Sequence, residues 1–202
     1  MIKLAFNQLV SDETIADIII KIKHILPYVE INILHINLFD VNSVLQNNQA
    51  DFVLSLQTID ISSGISSNVV GDIQTMFVAH PKHHLVNESF INGQYLSSET
   101  LILPSFQLNI ENQHYDLIPY SEIILITDCL SSLTFTEKDL GIAYVPDYIA
   151  RAKLLAQRLK VLDVNSLEFN NIHSLMLYYR TDFICQDTIN ATLTGLKEWF
   201  GY

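Results

Sequence analysis

The chain has 202 residues, 49% of them hydrophobic and 16% charged, with a formal net charge of −11 at pH 7. That composition suffices for one domain or two small lobes with a real core, excludes a disordered chain, and opposes DNA binding, which needs clustered Lys and Arg. Cys129 and Cys185 make no disulfide framework, the amino terminus is no signal peptide, and no apolar run approaches the ~20 residues of a membrane span, so a cytoplasmic, reducing location is expected.

Residues 2–6 read as a first strand and residues 7–10 as a loop. Ser11 is placed to cap a helix whose first turn carries Asp12 and Glu13, matching the helix dipole. Ile15, Ile18, Ile19, Ile22 and Leu26 recur at helical spacing, and Pro27 ends the helix. Val29, Ile31, Ile33 and His35 alternate with Glu30, Asn32 and Leu34, which predicts a second strand. A short helix over 42–47 and a third strand over 51–56 follow. Strand, helix, strand, helix, strand is the alternation that builds a parallel sheet. Open sheets of this kind bind ligands at the carboxyl ends of their strands, here residues 7–11 and 55–58.

From 59 to 72 the composition turns to Ser, Gly and Asn, which reads as a loop into a second lobe. Strands are predicted over 73–80, 101–103 and 121–126. Residues 127–150, TDCLSSLTFTEKDLGIAYVPDYIA, read as helix, turn, buried strand, proline break, helix. Leu130, Leu133 and Phe135 form the first helix's apolar side, residues 138–141 the turn and residues 142–145 the strand. Pro146 ends the strand, and Asp147 is placed to cap the next helix. Residues 174–179 read as a strand returning to the first lobe. The last helix has Asp187 near its start and Ile189, Leu193, Leu196 and Phe200 on one face. There is no internal repeat.

Several of these segments, in this order, resemble one family. The pieces are Leu26-Pro27 at a helix end, Asp51-Phe52-Val53-Leu54, the run from Phe77 to Val86 (FVAHPKHHLV), Gly141-Ile142-Ala143-Tyr144-Val145-Pro146, and Leu175-Met176-Leu177-Tyr178-Tyr179-Arg180. Together they resemble the effector-binding domain of LysR-type transcriptional regulators. Two departures stand out. Asp139 occupies the place of the turn's usual first glycine, and His84 replaces the usual proline after His83. The resemblance implies a two-lobed α/β fold of the periplasmic-binding-protein type 2, each lobe a mixed sheet flanked by helices. Lobe one takes residues 1–71 and 174–202, lobe two 72–173. It also implies a small-molecule effector in the interlobe cleft, a side-by-side homodimer, and a tetramer in the full-length regulator. DNA would be contacted only through an amino-terminal helix-turn-helix, which this chain is expected to lack. In the implied dimer the first helix and the following strand pack on the partner's second lobe. The Ile15–Ile22 stripe fits that role or burial on its own sheet. The alternative reading is a stand-alone small-molecule binding protein of the same fold.

Two helix starts carry the candidate site, because helix amino ends present free N–H groups and partial positive charge. On the resemblance, Asn7, Gln8, Ser11 and Thr127 are the effector contacts, with Asp128 beside Thr127 and Ser55 at a strand end. Phe106 is a candidate pocket wall, though core packing explains it as well. Asp12 and Asp128 sit near the same helix ends with no Lys or Arg in either loop. The expected effector is therefore neutral or carries an amine as well as an acid. His80, His83 and His84 suggest a metal cluster, but Pro81 breaks the helix that would align them and no carboxylate motif accompanies them. No metal or cofactor is expected. Cys129 and Cys185 are too far apart in sequence for the paired-cysteine redox sensing of one branch of the family, so Cys129 reads as a buried thiol. No nucleophile elbow, phosphate loop or zinc-protease motif is present, and no enzymatic activity is expected.

Overall fold

The computed structural model describes residues 1–7, 9–36, 40–58, 60–104, 121–126, 128–165, 172–183 and 186–200, with the backbone alone for 104, 186, 191, 195 and 197–200. The chain divides into two compact units, Met1–Ile73 with His173–Tyr202, and Gln74–Ile172. The first opens with β1 (Ile2–Asn7), α1 (Asp12–Ile25), β2 (Ile31–Ile36), α2 (Val41–Gln46) and β3 (Phe52–Leu56). β4 (Ile65–Ala79) leads into the second unit, which continues with a 3-10 turn (His84–Asn87), α3 (Gly93–Leu96), β5 (Thr100–Pro104) and β6 (Glu122–Ile126). α4 (Cys129–Glu137), β7 (Ile142–Pro146), α5 (Asp147–Leu155) and β8 (Lys160–Val161) complete it. β9 (Ile172–Arg180) and α6 (Gln186–Phe200) return to the first unit.

In the first unit β1 pairs in parallel with β2 on one side and β3 on the other, and β9 pairs antiparallel to β3. Parallel neighbours need crossovers, and helices supply them on both faces. Alternation along β1 and β3 divides the core accordingly. Leu4, Phe6, Phe52 and Leu54 surround a common space with Ile18 and Ile22 of α1 and Leu196 of α6. Ala5 and Val53 face the other way, against Val41, Val44 and Leu45 of α2. α1 starts where the chain predicts. Ser11 accepts from the Thr14 N–H, with Asp12 and Glu13 in the first turn and Lys23 and His24 in the last. Ile15, Ile18 and Ile22 are buried in their own unit, whereas Ile20 is 65% exposed.

In the second unit β7 lies between β4, antiparallel, and β5, parallel, with β6 beyond β5. β8 adds a short antiparallel pair to the end of β4. Phe77, Leu85, Ile91, Leu96, Leu101, Leu103, Ile142, Tyr144 and Leu162 form its core, and the Tyr144 hydroxyl bonds to that of Thr75. Among the described residues no helix is long and apolar enough to cross a membrane.

Three expectations are corrected. Residues 65–72 are not loop but the first half of β4. Their polar side chains have partners on β9: Asn68 Oδ1 accepts from the Tyr179 hydroxyl at 2.9 Å and Asp72 Oδ1 from that of Ser174 at 3.0 Å. α4 buries Cys129, Ser132, Leu133 and Thr136, while Leu130 is 56% and Phe135 36% exposed. Asp147 is the first helical residue of α5 rather than its cap, and its carboxylate accepts from the Tyr148 N–H at 2.7 Å.

Candidate functional site

The parallel pairing of β1 and β3 brings their carboxyl ends together. Asn7, the last residue of β1, is wholly buried, as is Ser55. The Asn7 amide donates to Ser55 Oγ at 3.1 Å and its Oδ1 accepts from the Leu9 N–H at 2.9 Å. The Asn7 carbonyl takes the Val10 N–H at 2.9 Å. One asparagine therefore fixes the turn that leads to Ser11 and ties it to the neighbouring strand. Ser11 Oγ lies 3.2 Å from the Thr14 N and 2.9 Å from Thr14 Oγ1, so it works as the cap of α1. Caps satisfy one of the four orphan donors of a helix start; the earlier N–H groups have no partner within the helix. Gln8 lies outside the described residues.

The exit of β3 is held by Tyr178 of β9, whose hydroxyl donates to the Leu56 carbonyl at 3.2 Å and accepts from the Thr58 N–H at 2.9 Å. Beside it, the Thr58 hydroxyl is buried with no hydrogen-bond partner among the described residues. Sequence reasoning placed Thr58 at a strand end but did not single it out. Its signal is a hydroxyl two residues beyond a buried strand, which becomes meaningful only once the pairing is known.

At the second helix start, Thr127 and the whole of 105–120, Phe106 included, lie outside the described residues. Asp128 caps α4. Its two carboxylate oxygens take the Ser131 N–H at 2.8 Å and the Ser131 hydroxyl at 2.7 Å. A carboxylate in that position already answers the positive end of the helix. Cys129 follows it into the core, and burial first, then the Asp128 charge, pushes its thiol up to about 12. Thiolate is the reactive form, so this sulfur is inert near neutral pH. At the other helix start Asp12 is exposed, 3.6 Å from the exposed His35 ring, a pairing worth little in water.

The histidines divide. His80 turns back on its own loop, accepting from the Lys82 N–H at 3.2 Å. His83 and His84 meet instead at Glu99, a residue the sequence reading did not connect with them. Nε2 of His83 is 3.4 Å from one Glu99 oxygen and Nε2 of His84 is 2.9 Å from the other. Burial lowers the His83 pKa, against the raising effect of Glu99.

Known proteins give this architecture a context. A family model described as the LysR substrate binding domain matches residues 1–196. A comparison with curated proteins finds no sequence match. Among solved structures, the chain is similar to the regulatory domain of MetR, a LysR family regulator from N. meningitidis, at 15% identity and a TM-score of 0.78, covering 98% of this chain and 92% of that one. It is similar to the Synechocystis PCC6803 CcmR regulatory domain in complex with 2-PG, at 14% identity and 0.77, covering 99% and 95%. It is similar also to the effector-binding domain of QuiR in complex with shikimate, at 15% identity and 0.77, covering 99% and 96%. Identities this low speak for the fold alone.

Proposed function

The chain belongs to the LysR substrate binding domain family, and from that premise we propose where and what it binds. The family makes it an effector-binding, regulatory domain. The effector lies at the carboxyl ends of β1 and β3, against the start of α1, and the family resemblance adds the start of α4 as a second candidate contact. Asn7 and Ser55 shape the loop. Gln8, Ser11, Thr58 and Thr127 supply polar contacts, and Phe106 an apolar wall. The carrying observation is the Thr58 hydroxyl, buried and unpartnered. A dehydrated polar group without a partner costs about 1–3 kcal/mol, and an effector that reaches it removes that cost.

The charge preference follows from Asp128. Both its oxygens are occupied in capping α4, so a second negative group near that helix start meets a carboxylate rather than an open dipole. A neutral effector, or one with an ammonium group beside its acid, fits better. CcmR's domain was solved with 2-PG and QuiR's with shikimate, which supports a small molecule as the ligand class. The domain binds its effector without converting it. It acts in the cytoplasm as a homodimer, within a tetramer whose DNA contacts come from another domain. Binding becomes a signal only if the effector prefers one arrangement of the protein over another.

Calorimetric titration of the chain with succinate and with a panel of amino acids tests both parts. We expect a neutral or zwitterionic compound to bind, succinate to bind weakly, and Thr58→Val or Ser11→Ala to weaken binding at least tenfold. Thr58→Val should at the same time stabilise the effector-free chain, because it removes an unsatisfied group. Tight succinate binding overturns the charge argument; binding indifferent to both substitutions overturns the placement.

A further inference from the structure

Glu99 is the residue before β5, and its side chain is only 13% exposed. Two different imidazoles share its carboxylate: His83 Nε2 lies 3.4 Å from Oε2, and His84 Nε2 lies 2.9 Å from Oε1. The rings stack with centroids 4.7 Å apart and planes 26° from parallel, and both Nε2 atoms approach the one carboxylate. One donor atom from each residue lies within 4.8 Å of the other two. His83 is 12% exposed, so two of the three donors are held by the fold, while His84 at 61% leaves the cluster open to solvent on one side. The Asp139 carboxylate adds negative field at His83.

We propose that His83, His84 and Glu99 form a binding site for one divalent transition-metal ion of the borderline class, for which Zn²⁺ is the best fit. Zinc takes imidazole nitrogen and carboxylate oxygen at about 2.0–2.2 Å in a tetrahedron, and two donors so placed stand about 3.3–3.5 Å apart. Each imidazole already stands near that spacing from its own Glu99 oxygen, His84 2.9 Å from Oε1 and His83 3.4 Å from Oε2, so coordination needs the carboxylate turned toward a shared ion. Water from the open side completes the coordination. Mg²⁺ and Ca²⁺ are disfavoured, because both demand oxygen donors and two of these three are nitrogens.

Proton placement is consistent with this. His83 Nδ1 accepts from the Leu85 N–H, which leaves its proton on Nε2 facing Glu99, and His84 presents its Nε2 to the same carboxylate. Metal binding moves an Nε2 proton to Nδ1 or releases it to solvent. For His83 this gives up the bond that Nδ1 accepts from the Leu85 N–H, which at 3.4 Å is long and weak. The bound ion clips the 3-10 turn to the start of β5, two segments whose Leu85 and Leu101 share one core. The site is independent of the effector reading, since none of its ligands belongs to the two helix starts.

The test is a calorimetric titration of Zn²⁺ into the chain after dialysis against a chelator, alongside His84→Ala and Glu99→Gln. We expect one equivalent to bind, affinity to fall at least tenfold in each variant, and Zn²⁺ to raise the melting temperature of the wild type but not of His84→Ala. The exposed position of His84 keeps that variant folded, and far-ultraviolet circular dichroism checks it. Absence of saturable binding overturns the proposal. So does binding of equal strength in both variants, which would mark adventitious uptake by other surface histidines. Mg²⁺ binding as tight as that of Zn²⁺ would overturn the metal class.

Discussion

Gly141 has no room for a side chain. Its φ is +156°, and a Cβ there would stand 2.4 Å from the carbonyl oxygen of Thr100. Backbone cannot move aside as a flexible side chain can, so Gly141→Ala should destabilise the chain by about 2–4 kcal/mol, read as a lower urea midpoint. Two residues earlier Asp139 takes φ +60°. Aspartate tolerates the left-handed region better than most residues, which is how the turn forms without the family's usual glycine. Cys129 gives a second test at this scale. Unfolded, its thiol ionises near its ordinary 9.0; folded, it keeps its proton to about 12. Between those values the unfolded chain binds fewer protons, so stability falls as pH rises, by at most about 1.4 kcal/mol per pH unit. Cys129→Ala should flatten urea-derived stability between pH 9 and 10. Above that, the phenols of buried Tyr144 and half-buried Tyr148, both raised by desolvation, add in the same direction.

At the scale of elements, α4 and α5 are tied at one point. Glu137 ends α4, its side chain 9% exposed, 2.7 Å from Lys153 Nζ of α5 and 2.8 Å from Arg158 Nε just beyond it. Removing the carboxylate leaves a partly buried ammonium without its partner, so Glu137→Ala should cost about 1–3 kcal/mol. Lys153→Ala should cost less, and a double-mutant cycle between the two should show coupling of about 1 kcal/mol; additive effects would mean the pair contributes nothing. Elements were legible in the sequence where one period dominated: Ile15, Ile18 and Ile22 gave α1, and the apolar Ile142–Val145 run gave β7. They were illegible where polar residues are satisfied inside the fold. Asn68 and Asp72 look like loop residues until β9 supplies their partners. The inward face of α4 was missed for a similar reason. Thr136 Oγ1 donates to the Ser132 carbonyl at 2.9 Å and Ser132 Oγ to that of Asp128 at 3.4 Å. Hydroxyls bonded to their own helix can be buried cheaply, and no apolar count detects them. The candidate site divides the same way. Ser11 and Asp128 were readable as helix starts, whereas the Asn7–Ser55 bond needs the β1–β3 register and Glu99 needs the tertiary fold.

The whole molecule carries apolar surface that one copy leaves bare. In the first unit Ile20 is 65% exposed on α1, with Ile33 at 42% and Leu34 at 38% on β2. β2 is also the edge of its sheet, and edges are surfaces that proteins cover or blunt. In the second unit Leu155 is 80% exposed at the end of α5 and Val161 49% on β8. In an isologous dimer residue i meets residue j of the partner and j meets i, so a contact between two unlike patches occurs twice. The homodimer we propose sets the α1 and β2 patch on the partner's α5 and β8 patch, and the Ile15–Ile22 stripe, buried in its own unit, takes no part in it. The net charge of −11 opposes association of two copies, so the dimer should tighten with added salt, which screens repulsion while apolar burial persists. Because every interface residue occurs twice, Ile20→Glu or Leu155→Glu alone should raise the dimer dissociation constant at least a hundredfold in sedimentation equilibrium. The same substitutions lie on exposed side chains and should leave the melting temperature of dilute, monomeric protein within a few degrees. A wild-type chain that stays monomeric at tens of micromolar, or a dimer indifferent to both glutamates, would assign these patches to some other contact.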